Sequence, residues 1–135
     1  MGLAAFLCGI EEGRHLGNHP LRGNLFENMV VADLLKQRFN RGRDNRLCFF
    51  RDSTGNEVDL LYPLGPDFLP VEIKAGQTVS RDWFRGLKTF SKVRTDNGPP
   101  GLIVYSGNQI QRRTDGTVAP LGTIGREILK LEEGR

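Results

Sequence analysis

The sequence predicts an α/β domain, a mixed central sheet flanked by helices. Three observations lead there. Apolar residues recur at helical spacing over residues 24–39 and 80–94. Short β-prone runs separated by turn residues fill the stretch between them. A continuous apolar run, Leu102 to Tyr105, then follows the second helix, as in a central or parallel strand covered on both faces.

Taken in order, Met1 to Ile10 is apolar, with Leu3, Phe6, Leu7 and Ile10 at helical spacing. Ten residues cannot span a bilayer, which takes about 20. The segment also lacks the basic start and cleavage site of a signal peptide. Residues 1–22 therefore read as a helix and connector at the cut end of a longer chain, and residues 23–135 as the domain proper. His15 and His19 fall in the connector, where Gly17 and Pro20 break any helix that would align them; they read as loop histidines.

Asn24 opens the first long helix, to about Phe39. Asn24 and Glu27 have the spacing of a capping box, in which the glutamate returns to the cap amide. At about 100° per residue, Val30, Val31, Leu34 and Leu35 flank the direction of Glu27. A carboxylate amid an apolar stripe is costly unless partnered, so Glu27 is also a candidate site residue. Arg41 to Asn45 is a charged turn, Leu47 to Arg51 a strand, and Asp52 to Asn56 a hairpin loop.

Two strands then lie either side of Gly65-Pro66, the second running from Phe68 to Ala75. Folding the chain about that turn sets Asp59 opposite Glu72 and Glu57 opposite Lys74. Opposed residues share a face, with Cβ atoms roughly 4.5–5.5 Å apart. Two carboxylates so placed repel unless a cation lies between them, and Mg²⁺ typically takes one or two carboxylates plus water and phosphate oxygens. Lys74 follows on the same face as Glu72, about 6.8 Å along the strand. Glu57 has a simpler reading as a cross-strand ion pair with Lys74. Arg51 stands near the mouth of such a site.

Ser80 caps the second helix, to about Arg94, with Trp83, Phe84, Leu87 and Phe90 as its core stripe. Arg81, Arg85, Lys88 and Lys92 form a basic ridge, either a solvated helix face or a rail for phosphates whose affinity falls with salt. Residues 95–100 form a loop. Residues 109–111 and 117–121 read as a small edge hairpin about Asp115-Gly116. A closing helix spans 123–132 through Ile124, Ile128, Leu129 and Leu131.

The acid–acid–lysine pattern, Asp59 with Glu72-Ile73-Lys74, resembles the core motif of the PD-(D/E)xK nuclease superfamily, with Val58 where the name has proline. The wider text, Leu21 to Asn28, Phe50-Arg51-Asp52, Gly55 to Leu61 and Pro70 to Gly76, resembles a nuclease-like domain of unknown function found at the C-terminus of prokaryotic AAA+ ATPases. That resemblance runs from about Leu16 to Ser106. It implies a restriction-endonuclease-like core and a Mg²⁺- or Mn²⁺-dependent nuclease acting on DNA, conceivably RNA. Asp59 and Glu72 would bind the metal with the Ile73 carbonyl, Glu27 would add a contact, and Lys74 would act on the attacking water. Gln77 is a weaker candidate for holding substrate. The partner implied is an ATPase domain, which this chain, lacking G-x-x-x-x-G-K-[ST], does not itself supply. The rival reading is a non-catalytic DNA-binding or regulatory module of that ATPase.

Bulk properties agree with a soluble domain. The 135 residues, 38% hydrophobic and 26% charged, suffice for one core. A net charge of +3 permits a polyanionic partner without requiring one. Cys8 and Cys48 form no CxxC or Cys/His cluster, which fits a reducing cytoplasm.

Overall fold

The computed structural model describes residues 21–44 and 46–134; the apolar segment 1–10, Cys8, His15 and His19 lie outside them. Helix α1 (Leu21–Asn40) is followed by β1 (Cys48–Arg51), β2 (Glu57–Leu64) and β3 (Asp67–Lys74). A 3-10 turn (Arg81–Phe84) leads into α2 (Arg85–Val93), then β4 (Leu102–Tyr105), β5 (Gln111–Arg113) and β6 (Gly116–Pro120). A second 3-10 turn (Leu121–Thr123) opens α3 (Ile124–Glu133).

The six strands form one mixed sheet in the order β1-β2-β3-β4-β6-β5. β1, β2 and β3 meander antiparallel, whereas β4 is parallel to both β3 and β6. The continuous apolar run of β4 is thus buried on both faces, all four residues covered, as expected. Residues 111–120 do form an antiparallel hairpin. It is not an edge appendage, because β6 continues the main sheet beside β4 and only β5 lies at the edge. Val118 and Ala119, both fully buried, give β6 the apolar faces an inner strand needs.

Each face of the sheet has its own core. Val30 and Leu34 of α1 and Ile124 and Ile128 of α3 pack against Leu60, Tyr62, Leu69, Val71 and Val104. On the other face Phe84, Leu87 and Phe90 cover Val58, Leu61, Ile103, Tyr105 and Val118. Among the described residues, two helices therefore cover one face and one covers the other. Leu129, expected in the α3 stripe, is 44% exposed; it lies one residue past Ile128, about 100° round the helix.

Helix α1 begins at Leu21, so Asn24 lies inside it rather than at the N-cap position that the sequence suggested. Leu21 and Arg22 have high helix propensity, and the helix runs through Gly23 to include them. The second helix differs too. Ser80 does cap it, accepting from the Asp82 amide, but Arg81–Phe84 is 3-10 and only Arg85–Val93 is α-helical. Arg81 therefore does not continue the helical spacing of Arg85, Lys88 and Lys92.

β2 carries a bulge. Cys48 pairs with Leu61 but Phe50 pairs with Val58, so Asp59 and Leu60 together oppose Phe49. The extra residue shifts the alternation, sending Val58 to the α2 core and Leu60 to the α1 core. Bulges re-aim side chains in this way and recur beside functional sites.

Candidate acidic site at the β2–β3 split

The paired register of β2 and β3 runs from Leu64↔Asp67 to Leu60↔Val71, centred on the Gly65-Pro66 turn as expected. Gly65, at φ 60°, takes the left-handed conformation the turn needs. Continued one step, that register puts Asp59 against Glu72. There side-chain bonds take over from the backbone ladder. The Ile73 amide donates to Asp59 Oδ2 at 2.8 Å, and the Asp59 amide donates to Glu72 Oε1 at 3.3 Å. The exchange falls where the bulge against β1 redirects the β2 backbone.

Lys74 Nζ lies 3.5 Å from Glu72 Oε2 and its side chain is one-third exposed. Glu72 is 5% exposed. Acid, acid and lysine therefore converge as the sequence predicted. The expected Glu57–Lys74 pair does not form: Glu57 instead binds Arg51, with Oε2 3.0 Å from Nη2 and 3.2 Å from Nε. Beyond the bulge Glu57 no longer keeps the register that would set it opposite Lys74. Asp52 is the turn residue expected, accepting from the amides of Thr54 and Asn56.

Burial pushes the Glu72 carboxyl up to about 8; the negative charge of Asp59 adds to this, and Lys74 and the Asp59 amide oppose it. Asp59 is raised as well, first by burial, although the Ile73 amide and Lys74 favour its charged form. The pair thus holds a proton near neutral pH, and a cation between the carboxylates would replace it. Glu27 is raised by burial and then by the charges of Asp59 and Glu57, which places it within electrostatic reach of the site.

These groups open into a hollow of about 270 Å³ lined by Gly55, Asn56, Glu57, Asp59, Glu72, Lys74, Asp82, Trp83, Arg85 and Gly86. Four carboxylates face two cations. Of the basic ridge only Arg85 reaches the rim, and it binds Asp82 at 3.1 Å. Lys88 pairs with Asp115 at 3.5 Å and borders a different hollow. Arg81, Lys92 and Gln77 are exposed and are not among the lining residues.

Gly86 was not singled out by sequence. A Cβ there would strike the Glu57 carbonyl oxygen and stand 2.8 Å from Glu72 Oε1. The missing side chain lets α2 close over the carboxylates. A glycine inside a strongly amphipathic helix, where it costs about 1 kcal/mol relative to alanine, is the signal that would have found it.

Among the described residues, no three His, Cys, Asp or Glu side chains are grouped to hold a metal ion. The protein's own donor set is the Asp59–Glu72 pair. That set fits Mg²⁺ or Mn²⁺, hard cations content with one or two carboxylates when water and phosphate supply the rest, and it does not fit zinc. Cys48 is half-buried and its thiol is pushed up by burial. Among the described residues no helix is long and apolar enough to cross a membrane.

No curated protein and no solved structure matches the chain. A family model does, over residues 22–124, which takes in α1, the whole sheet and the acidic hollow. The chain belongs to the family described as domain of unknown function DUF4143.

Proposed function

We propose that this domain is a metal-dependent nuclease of the PD-(D/E)xK type, hydrolysing phosphodiester bonds in DNA. The observation that carries the reading is the convergence of Asp59, Glu72 and Lys74 where β2 and β3 split. The element order also supports it: helix, three meandering antiparallel strands, helix, then a strand parallel to the third, as in a restriction-endonuclease-like core.

On this reading Asp59 and Glu72 hold Mg²⁺ or Mn²⁺, which when bound activates water and neutralises charge building on the phosphate. Asp59 is held for the task by the Ile73 amide. Lys74 orients the attacking water and offers its ammonium to the phosphate oxygens in the transition state. The water oxygen bonds to phosphorus as one of its protons passes to solvent, the bond from phosphorus to the leaving deoxyribose oxygen breaks, and that oxygen takes up a proton from solvent. Glu27 strengthens the local negative field and so the attraction for the cation.

A second reading has one specific observation in its favour. The hollow is poor in free cations: Arg85 on its rim is engaged by Asp82, and Arg51, outside the lining, by Glu57. A module that grips or regulates without cleaving, working with the AAA+ ATPase that the sequence resemblance implies, would need no more. Calorimetric titration of Mg²⁺ and Mn²⁺ into wild type and Asp59→Ala, with plasmid nicking by wild type and Lys74→Ala, separates the two. Saturable heat lost in Asp59→Ala and nicking lost in Lys74→Ala is the expected result. Metal binding without nicking on any nucleic acid overturns the nuclease reading in favour of the module.

A further inference from the structure

The hollow has one aromatic wall. Trp83 is the single tryptophan of the chain and lines the same space as Asp59, Glu72 and Lys74. It is half-buried and braced. Its ring meets Tyr105 edge-on, with centroids 6.1 Å apart and planes at 72°. Tyr105 is fixed in turn, its hydroxyl donating to the Gln109 carbonyl at 2.6 Å and accepting from the Gln109 amide. Gly76, two residues after Lys74, leaves room for the indole: a Cβ there would stand 3.1 Å from Trp83 Cζ2. Arg85, exposed, lines the hollow beside it.

A rigid indole beside a phosphodiester-cleaving centre meets the base next to the phosphate being cut. In an intact duplex both faces of that base are already stacked on its neighbours. Only an unpaired or splayed base has a face to offer an aromatic side chain, and the gain is tolerant of sequence. The four carboxylates of the hollow outnumber its two cations, so shape and stacking have to contribute selectivity that surface charge does not.

Building on the nuclease reading, we propose that the hollow takes single-stranded nucleic acid, with one unpaired base stacked on Trp83 and its phosphate directed to Asp59, Glu72 and Lys74. Trp83 is then the residue that sets strand preference.

The lone tryptophan reports directly. With Ca²⁺ present, to allow binding without cleavage, the full chain is titrated with oligothymidylate of about twelve nucleotides, within the ~4–16 that single-strand sites occupy. A closed duplex dumbbell, its ends bridged by non-nucleotide linkers so that no base is unpaired, is titrated in parallel. Indole fluorescence is expected to be quenched by the single strand and little changed by the dumbbell. In anisotropy with labelled oligothymidylate, Trp83→Leu should bind about 5- to 150-fold more weakly, the range for one stacked base, while Trp83→Phe keeps most of the affinity. Thermal unfolding of both variants shows whether the fold survives. Equal loss in Leu and Phe variants that remain folded overturns stacking. Equal binding of dumbbell and single strand overturns the strand preference but leaves the nuclease reading standing. Failure of both nucleic acids to bind at saturating Ca²⁺ overturns the inference together with the reading beneath it.

Discussion

Gly86→Ala tests how closely α2 is held over the acidic pair. The added methyl would meet the Glu57 carbonyl oxygen and lie 2.8 Å from Glu72 Oε1, well inside ordinary contact. Backbone cannot yield as a side-chain tip does, so either α2 lifts or the Glu72 carboxylate turns away. Overpacking of this kind costs about 1–3 kcal/mol, against about 0.8–1 kcal/mol gained by replacing a helical glycine. The net expectation is a loss of about 0–2 kcal/mol, or up to about 8 °C in Tm for a domain of this size. Gly23→Ala in α1 is the control, since a Cβ there meets nothing within 4 Å; it should gain up to about 1 kcal/mol. Urea and thermal unfolding of both variants give the contrast, and Mg²⁺ calorimetry on Gly86→Ala should show weakened binding. Equal stabilisation at the two positions with unchanged metal heats would refute the close approach.

Three further outcomes follow from the same geometry. Because Glu72 is pushed up to about 8, the folded chain binds more protons than the unfolded one between about pH 4.5 and 8, so stability falls as pH rises through that window; thermal unfolding in chelator should show a drop of several degrees that Glu72→Gln removes and millimolar Mg²⁺ reverses. Glu27→Gln, by lifting a half-buried charge from the vicinity of Asp59 and Glu57, should raise Tm in chelator by a few degrees while weakening Mg²⁺ affinity, measured by differential scanning calorimetry and titration. Asp96 accepts from Arg94 through both oxygens, at 2.7 and 2.8 Å, and from the Phe68 amide at 2.8 Å, which holds it at about 2. Its contribution is present above about pH 4 and lost as pH falls toward 2; Asp96→Asn should cost about 2–3 kcal/mol in urea at pH 7 and flatten acid unfolding in that range.

Much of this site was legible because its spacing is local. Asp59 and Glu72 sit thirteen residues apart about one glycine turn, and a hairpin register can be counted from its turn. The helix-β-β-β-helix-β order was likewise readable from apolar periodicity, and Leu102 to Tyr105 announced a strand covered on both faces. What the sequence did not show depends on three-dimensional contact. The bulge at Asp59 has no residue signature, and it is what carried Glu57 away from Lys74 and toward Arg51. Helix α1 starts at Leu21, three residues ahead of the cap that Asn24 offered in the sequence. The ridge from Arg81 to Lys92 assumed one continuous α-helix, which the 3-10 turn over Arg81–Phe84 interrupts. Gly86 matters only through what stands across from it.

The extra residue in β2 also makes the hairpin unequally tolerant of change in length. The loop before it closes on itself, with Asp52 accepting from the amides of Thr54 and Asn56 and from the Asn56 side chain, so residues gained or lost at its tip leave the strand phase untouched. A single deletion between Val58 and Leu60 would erase the phase shift instead. Val58 would then rotate to the opposite face and leave the α2 core, and Glu72 would lose its acidic partner, since the deleted residue is Asp59 itself. Length variation in this hairpin is therefore permitted at 53–55 and forbidden five residues later, although both stretches are equally short.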